Sequence, residues 1–180
     1  APVKATMMLR NIPNRHSQSD IIKLFEHEGF TKTFNYFYLP IDFRSRTNLG
    51  YCFVNFNRAQ DARRFKKTFH GRQLAANRSN KVCEVTVARV QGLQANMRQF
   101  RNSPINTMPI RAYRPLVFDR SGTPAELPSP DRPVRPVLLR NPRAAGEQKE
   151  RIGATAKPEP PGPLVNKVLG KAALGVFLEL

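Results

Sequence analysis

Apolar and polar positions change period in a regular order along the first ninety residues. MMLRNI (Met7 to Ile12) reads as a short strand stopped by Pro13. Ser17 stands three residues before Asp20, a capping-box start with Asp where Glu or Gln is usual. Ile21, Leu24 and Phe25 follow at helical spacing, and Gly29 ends that helix. FNYFYL (Phe34 to Leu39) is aromatic and strand-prone, closed by Pro40. A polar, basic loop from Ile41 to Asn48 leads into the strand GYCFVNF, Gly50 to Phe56. Ala62, Phe65 and Phe69 recur at helical spacing before Gly71, and KVCEVTVAR (Lys81 to Arg89) alternates at period two. The order β-α-β-β-α-β predicts an α+β, ferredoxin-like sandwich: an antiparallel sheet with two helices on one face and the other face open.

Beyond Arg89 the pattern predicts a third helix, Gly92 to Phe100, with Leu93, Met97 and Phe100 on one side, then a short apolar segment, Tyr113 to Phe118. From Asp119 to Pro163 the chain holds most of its prolines and no aromatic residue. The segments expected are therefore a domain over 4–90, a C-terminal extension over 91–118, and a proline-rich, disordered tail over 119–180. Leu164 to Leu180 has the pattern of a weak amphipathic helix, broken by Gly170 and Gly175.

Charge narrows the partners. Thirty Lys and Arg against 13 Asp and Glu leave a formal charge of +17, which favours an anionic partner such as nucleic acid, an acidic membrane surface or an acidic protein. Cys52 and Cys83 lie far apart inside apolar runs and read as small core residues, which suits a reducing, intracellular compartment, nuclear or cytoplasmic. No secretory signal pattern is visible, and no run of about twenty apolar residues is long enough to span a bilayer. The chain begins with Ala1 rather than Met, as a fragment or trimmed chain does.

The chemistry concentrates in LGYCFVNF, Leu49 to Phe56. The octamer motif of the RNA recognition motif (RRM) asks for a basic residue, Gly, an aromatic, a small residue, an aromatic, an aliphatic, any residue and an aromatic. Only the first position departs, with Leu49 in place of Lys or Arg. Side chains alternate across a strand, so Tyr51, Phe53 and Asn55 share one face while Cys52, Val54 and Phe56 share the other. Helices cover the second face. Two aromatics on the first face are platforms for unstacked bases. On the first strand Met7, Leu9 and Ile12 fit the core, which leaves Met8 and Arg10 on the open face, with Met8 where an aromatic is usual. Tyr36 and Tyr38 are expected on the open face, with Phe37 and Leu39 in the core. On the last strand Glu84 and Thr86 face out and Cys83, Val85 and Val87 face in. Arg44 and Arg46 in the loop, with Arg89 and Gln91 after the last strand, complete the expected RNA-binding set. Arg63, Arg64, Lys66 and Lys67 fall on the second helix behind the sheet, where a solvated face outweighs a nuclear import patch.

Four segments carry a more specific likeness: RNIPNRHSQ (Arg10 to Gln18), FNYFYLPIDFRSRTNLGYCFVNF (Phe34 to Phe56), NKVCEVTVARVQG (Asn80 to Gly92) and YRPLVF (Tyr113 to Phe118). Together they resemble the C-terminal RRM of the Mei-two family of meiosis and development regulators, over residues 4 to 118. The resemblance implies RNA binding, noncoding RNA included, and a role in meiotic or developmental gene control.

Single-stranded RNA is thus the expected partner. A protein-protein module on an RRM fold is the alternative, with the C-terminal extension or tail as a second place for a protein partner. Leu93, Met97 and Phe100 are its candidate patch. The third helix is also a candidate to fold over the sheet and gate it. Catalysis has little support: His16, His27 and His70 stand apart, no Gly-rich phosphate loop follows a strand, no carboxylates share a face, and Asp42 reads as a turn former. No cofactor or metal is implied.

Overall fold

A computed structural model describes residues 4–74 and 79–137. Most of the tail expected over 119–180, with the amphipathic stretch Leu164 to Leu180, lies outside the described residues.

The predicted elements form in the predicted order. They are β1 (Thr6–Arg10), α1 (Gln18–Phe25), β2 (Phe34–Tyr38), β5 (Tyr51–Phe56), α2 (Ala59–Phe69) and β6 (Glu84–Val87), with a small hairpin, β3 (Ile41–Asp42) and β4 (Thr47–Asn48), inside the basic loop. Local chemistry explains their ends. At the start of α1 the Ser17 N–H donates to Asp20 Oδ2 at 2.8 Å while the Asp20 N–H donates to Ser17 Oγ at 3.2 Å, the reciprocal box the sequence predicted. Gly29 ends the helix through a π turn at φ 82°, a conformation open to glycine because it lacks Cβ. Asp42 shapes the hairpin turn, its carboxylate accepting from the Arg44 and Ser45 N–H groups at 3.0 and 3.3 Å.

One face of the sheet meets the helices. Leu9, Phe37, Cys52, Val54 and Val85 from the strands, with Ile12 and Leu39 just past β1 and β2, pack with Ile21, Phe25, Phe65 and Phe69. Phe25 and Phe65 meet edge to face at 4.9 Å, a geometry that adds to the stabilisation from area burial. Both cysteines are buried free thiols, and burial pushes Cys83 up to about 11 and Cys52 higher still. Val87 keeps the inward alternation, paired with Met7, but at the end of edge strand β6 it is exposed.

The chain after β6 builds more than the sequence predicted. Strands β7 (Leu116–Phe118) and β8 (Pro124–Glu126) extend the sheet to six strands in the order β6-β1-β5-β2-β7-β8. Adding β7 covers the hydrogen-bonding edge of β2, an edge that otherwise invites foreign strands. Phe118 packs on Phe34 at 4.9 Å, and Gln18 Nε2 donates to the Arg114 carbonyl at 2.9 Å, tying this segment to α1. Residues 119–137 are therefore not a disordered tail: they contain β8 and bury Leu127 and Val137. The compact unit extends to Val137 rather than ending near residue 90.

Helix α3 (Leu93–Arg101) lies across the sheet face opposite α1 and α2. Its first turn is anchored on β1. Gly92 takes φ 85° and ψ 154°, which a side chain opposes, and its N–H donates to Thr6 Oγ1 at 2.9 Å. At the far end Phe100 packs on Tyr38 with ring centroids 4.7 Å apart. The face expected to be open carries a second apolar layer.

Candidate nucleic-acid interface

The cross-strand register brings the predicted site residues together on one face. Met8 pairs with Phe53 and Thr86, Arg10 with Tyr51 and Glu84, Tyr38 with Phe53, and Tyr36 with Asn55. The alternation read from the sequence is correct for β1, β2 and β5. What differs is access.

Four of those residues are buried. Tyr36 is 0% exposed, Tyr38 3%, Phe53 4% and Asn55 4%. The open-platform expectation is corrected for all four, because the extension after Val90 covers the part of the sheet that holds them. The Asn55 amide is consumed as well. Thr6 Oγ1 donates to Asn55 Oδ1 at 2.6 Å, Asn55 Nδ2 donates to Asn35 Oδ1 at 2.7 Å, and Asn96 Nδ2 on α3 donates to the Gly92 carbonyl at 2.8 Å. The Tyr36 hydroxyl is buried with no hydrogen-bond partner among the described residues, and desolvation drives its pKa well above the usual phenol value.

Gln91 is corrected in a different way. Its Oε1 accepts from the Ala5 and Thr6 N–H groups at 3.0 Å each, and its Nε2 donates to the Thr6 and Ala88 carbonyls at 2.9 and 2.6 Å. Both ends of the amide bind the chain's own backbone, so Gln91 clamps the start of β1 to the end of β6.

A corner of the sheet remains accessible, where β6, β1 and β5 meet away from α3. Arg10 is exposed, and Met8, Tyr51, Glu84 and Thr86 are half-buried. The Tyr51 ring stands edge to face against Phe53 at 5.7 Å, so a buried aromatic braces the accessible one. Desolvation pushes the Tyr51 phenol up to about 12, in keeping with a hydroxyl that is buried while the residue stays partly accessible. Arg10 and Glu84 face each other at 3.9 Å with both side chains about half exposed, a weak pair that a phosphate can displace.

Loops concentrate charge at this end. Ile12 N–H donates to the Gly50 carbonyl at 2.9 Å and Asn48 Nδ2 to the Pro13 carbonyl at 3.0 Å, so the loop after β1 and the β3–β4 hairpin converge where β5 begins. Arg44 and Arg46 are exposed on the hairpin tip. Two cations that sequence reasoning missed join them: exposed Arg15, and Lys81, whose Nζ donates to Asn14 Oδ1 at 2.6 Å. Net charge was their only signal in the sequence, because loop closure placed them. Arg89 is set apart. It follows β6 at the opposite end, beside Ala88, whose N–H donates to the Thr6 carbonyl.

On helix α2, Arg64 reaches back to the Gly29 carbonyl at 2.9 Å and covers the Phe30 ring at 4.1 Å, while Arg63, Lys66 and Lys67 are exposed. Leu93 and Met97 on α3 are half-buried and Phe100 is buried, which removes Phe100 from the expected exposed patch. Among the described residues no group of His, Cys, Asp and Glu is arranged to hold a metal, and no helix is long and apolar enough to cross a membrane.

Comparison with known proteins gives the lineage. The chain is 31% identical over 182 residues to protein terminal ear1 of Zea mays, covering 87% of this chain and 27% of that protein. It is 36% identical over 122 residues to protein MEI2-like 5 of Oryza sativa subsp. japonica, covering 67% of this chain and 14% of that one. The chain thus spans well under a third of the length of these relatives. Among solved structures, the Rna15 RRM with bound RNA (GU) aligns at TM-score 0.43 and 16% identity, over 51% of this chain and 89% of that one. The family described as RNA recognition motif 2 matches residues 4–101, a span that runs through the end of α3. With more than half of its length in that match, and with MEI2-like and terminal ear1 relatives, the chain belongs to the RNA recognition motif 2 family, the Mei-two type of RRM.

Proposed function

We propose that this protein binds single-stranded RNA at the uncovered corner of the sheet. A base stacks on Tyr51 beside Met8 and Thr86, and Arg10, Arg15, Arg44, Arg46 and Lys81 engage the phosphates. The observation that carries this reading is the placement of Tyr51: an accessible aromatic on a central strand, braced by Phe53, next to exposed Arg10 at the basic end. Thr86 and Met8 supply a hydroxyl and a polarisable thioether at the same corner. Phe53, Tyr36, Tyr38, Asn55 and Gln91 are held within the fold beside the site and do not touch RNA while α3 is seated. Arg89 serves a strand long enough to reach the far end. The reading assigns no catalytic step and no cofactor.

The relatives named MEI2-like and terminal ear1 support a role in meiotic or developmental gene control. A second reading, an RRM fold serving a protein partner and no membrane, is favoured by one observation: the extension already covers most of the aromatic face.

Fluorescence anisotropy of the full chain with a mixed single-stranded RNA pool separates the two. Tyr51→Ala is expected to weaken binding by about 1–3 kcal/mol, the worth of one stacked base. Phe53→Ala is expected to cost about 3–5 kcal/mol of folding stability, as truncation of a buried aromatic does. If Tyr51→Ala binds RNA like the parent protein, the corner is not the stacking site. If neither protein binds RNA at low salt, the protein-partner reading takes its place.

A further inference from the structure

Ser or Thr precedes Pro three times in the sequence, at Ser103-Pro104, Thr123-Pro124 and Ser129-Pro130, all within the extension after β6. Only after Ser129 does a basic residue, Arg132, stand three places on; Asn106 and Glu126 hold that place in the other two. The hydroxyls differ too. Ser103 Oγ caps its own turn, accepting from the Ile105 N–H at 3.4 Å, and Thr123 Oγ1 is engaged by Ser121 Oγ at 2.7 Å. Ser129 is exposed, in a stretch from Leu127 to Pro130 without helix or strand. Proline-directed protein kinases bind their substrates extended, accept Pro after the target because it needs no N–H partner, and read a basic side chain three places on through acidic groups.

Ser129 sits in the middle of the strap that holds the C-terminal end of α3. Arg101 Nε donates to the Ser129 carbonyl at 2.9 Å, and Arg101 Nη1 pairs with Asp131 at 3.2 Å. Asn102 Nδ2 donates to Asp131 Oδ1 at 2.8 Å, and Asn102 Oδ1 accepts from the Asp131 N–H at 3.1 Å. Asn106 Nδ2 donates to the Pro128 carbonyl at 3.0 Å. None of these bonds uses the Ser129 hydroxyl.

We propose that Ser129 is a phosphorylation site for a proline-directed, base-requiring Ser/Thr kinase, and that phosphate there locks the strap onto α3. In the transfer, Ser129 Oγ forms a bond to the γ-phosphorus of ATP as the bond to the β–γ bridging oxygen breaks. The hydroxyl proton passes to the kinase's catalytic carboxylate and ADP leaves. The group added carries about two negative charges at neutral pH. Its bonded and sequence neighbours are mainly cationic: Arg101 is bonded to the same residue and Arg132 and Arg135 follow, while the nearby carboxylates Glu126 and Asp131 are each already paired with arginine. A phosphate in that setting makes charge-assisted bonds to Arg101 and joins strap to helix. The strap is distinct from the sheet corner, and its phosphorylation can be read without RNA.

The test incubates the full chain with a cyclin-dependent kinase and ATP, maps phosphate by peptide mass spectrometry, and repeats this on Ser129→Ala and Arg132→Ala. Phosphate is expected on Ser129, absent from Ser129→Ala and incorporated about tenfold more slowly in Arg132→Ala. Hydrogen exchange of the α3 amides is then compared before and after phosphorylation, expected to slow about fivefold in the parent and not to change in Arg101→Ala. No phosphate at Ser129, or phosphate mainly at Ser103 or Thr123, overturns the site. Unchanged or faster exchange in α3 on a phosphorylated chain overturns the lock.

Discussion

A single side chain shows how a surface reading turns into a structural one. Gln91 has the composition of an RNA contact, a flexible amide just past the last strand, yet all four of its hydrogen bonds go to the backbone of Ala5, Thr6 and Ala88. Gln91→Ala removes them together and leaves partly buried donors and acceptors with no replacement. The expected cost is about 1–3 kcal/mol, seen as a lower urea midpoint at unchanged slope. An unaltered midpoint would show that water replaces the amide without loss. Alternation on the strands was legible from sequence because a period of two follows from backbone geometry alone: Met7 and Leu9 face the helices while Met8 and Arg10 do not. The fate of Gln91 was not legible, since three of its four hydrogen bonds go to Ala5 and Thr6, more than eighty residues away.

Among the elements, α3 departs most from the sequence reading. Its existence and its apolar side were predicted, and so was the possibility that it folds over the sheet. Its anchoring was not. The sequence supports a domain ending near residue 90, and the structure makes the extension part of the fold, because Tyr36, Tyr38 and Phe53 are buried only with a second layer in place. A chain truncated after Gln91 therefore exposes three large aromatics at once. It is expected to bind the hydrophobic dye ANS and to lose near-ultraviolet circular dichroism while keeping its far-ultraviolet signal. A truncated chain that stays rigid and dye-free would return the platform to its open form. The β7–β8 hairpin was equally hidden, because Leu116–Phe118 and Pro124–Glu126 are too short for periodicity to register, and pairing of β7 with β2 and of β8 with β7 decides their state.

For the molecule as a whole, the charge of +17 is a statement about partners, and its arrangement sets how RNA affinity depends on salt. Five cations gather at the sheet corner: Arg10, Arg15, Arg44, Arg46 and Lys81. With single strands releasing about 0.7 counterion per neutralised phosphate, log affinity is expected to fall with log salt at a slope of about −3.5. A slope near zero would remove the corner cations from the interface, and a slope twice as steep would enlist the basic face of α2. The sequence by itself determined the β-α-β-β-α-β order, the helix-covered core, the capping box at Ser17 and the family, because each rests on local periodicity or on a contiguous motif. Tertiary structure alone decided which aromatics stay accessible and which cations share a site. Those outcomes depend on a distant segment closing over the sheet and on loops meeting at its end, and contacts between residues far apart in the chain leave no period to read.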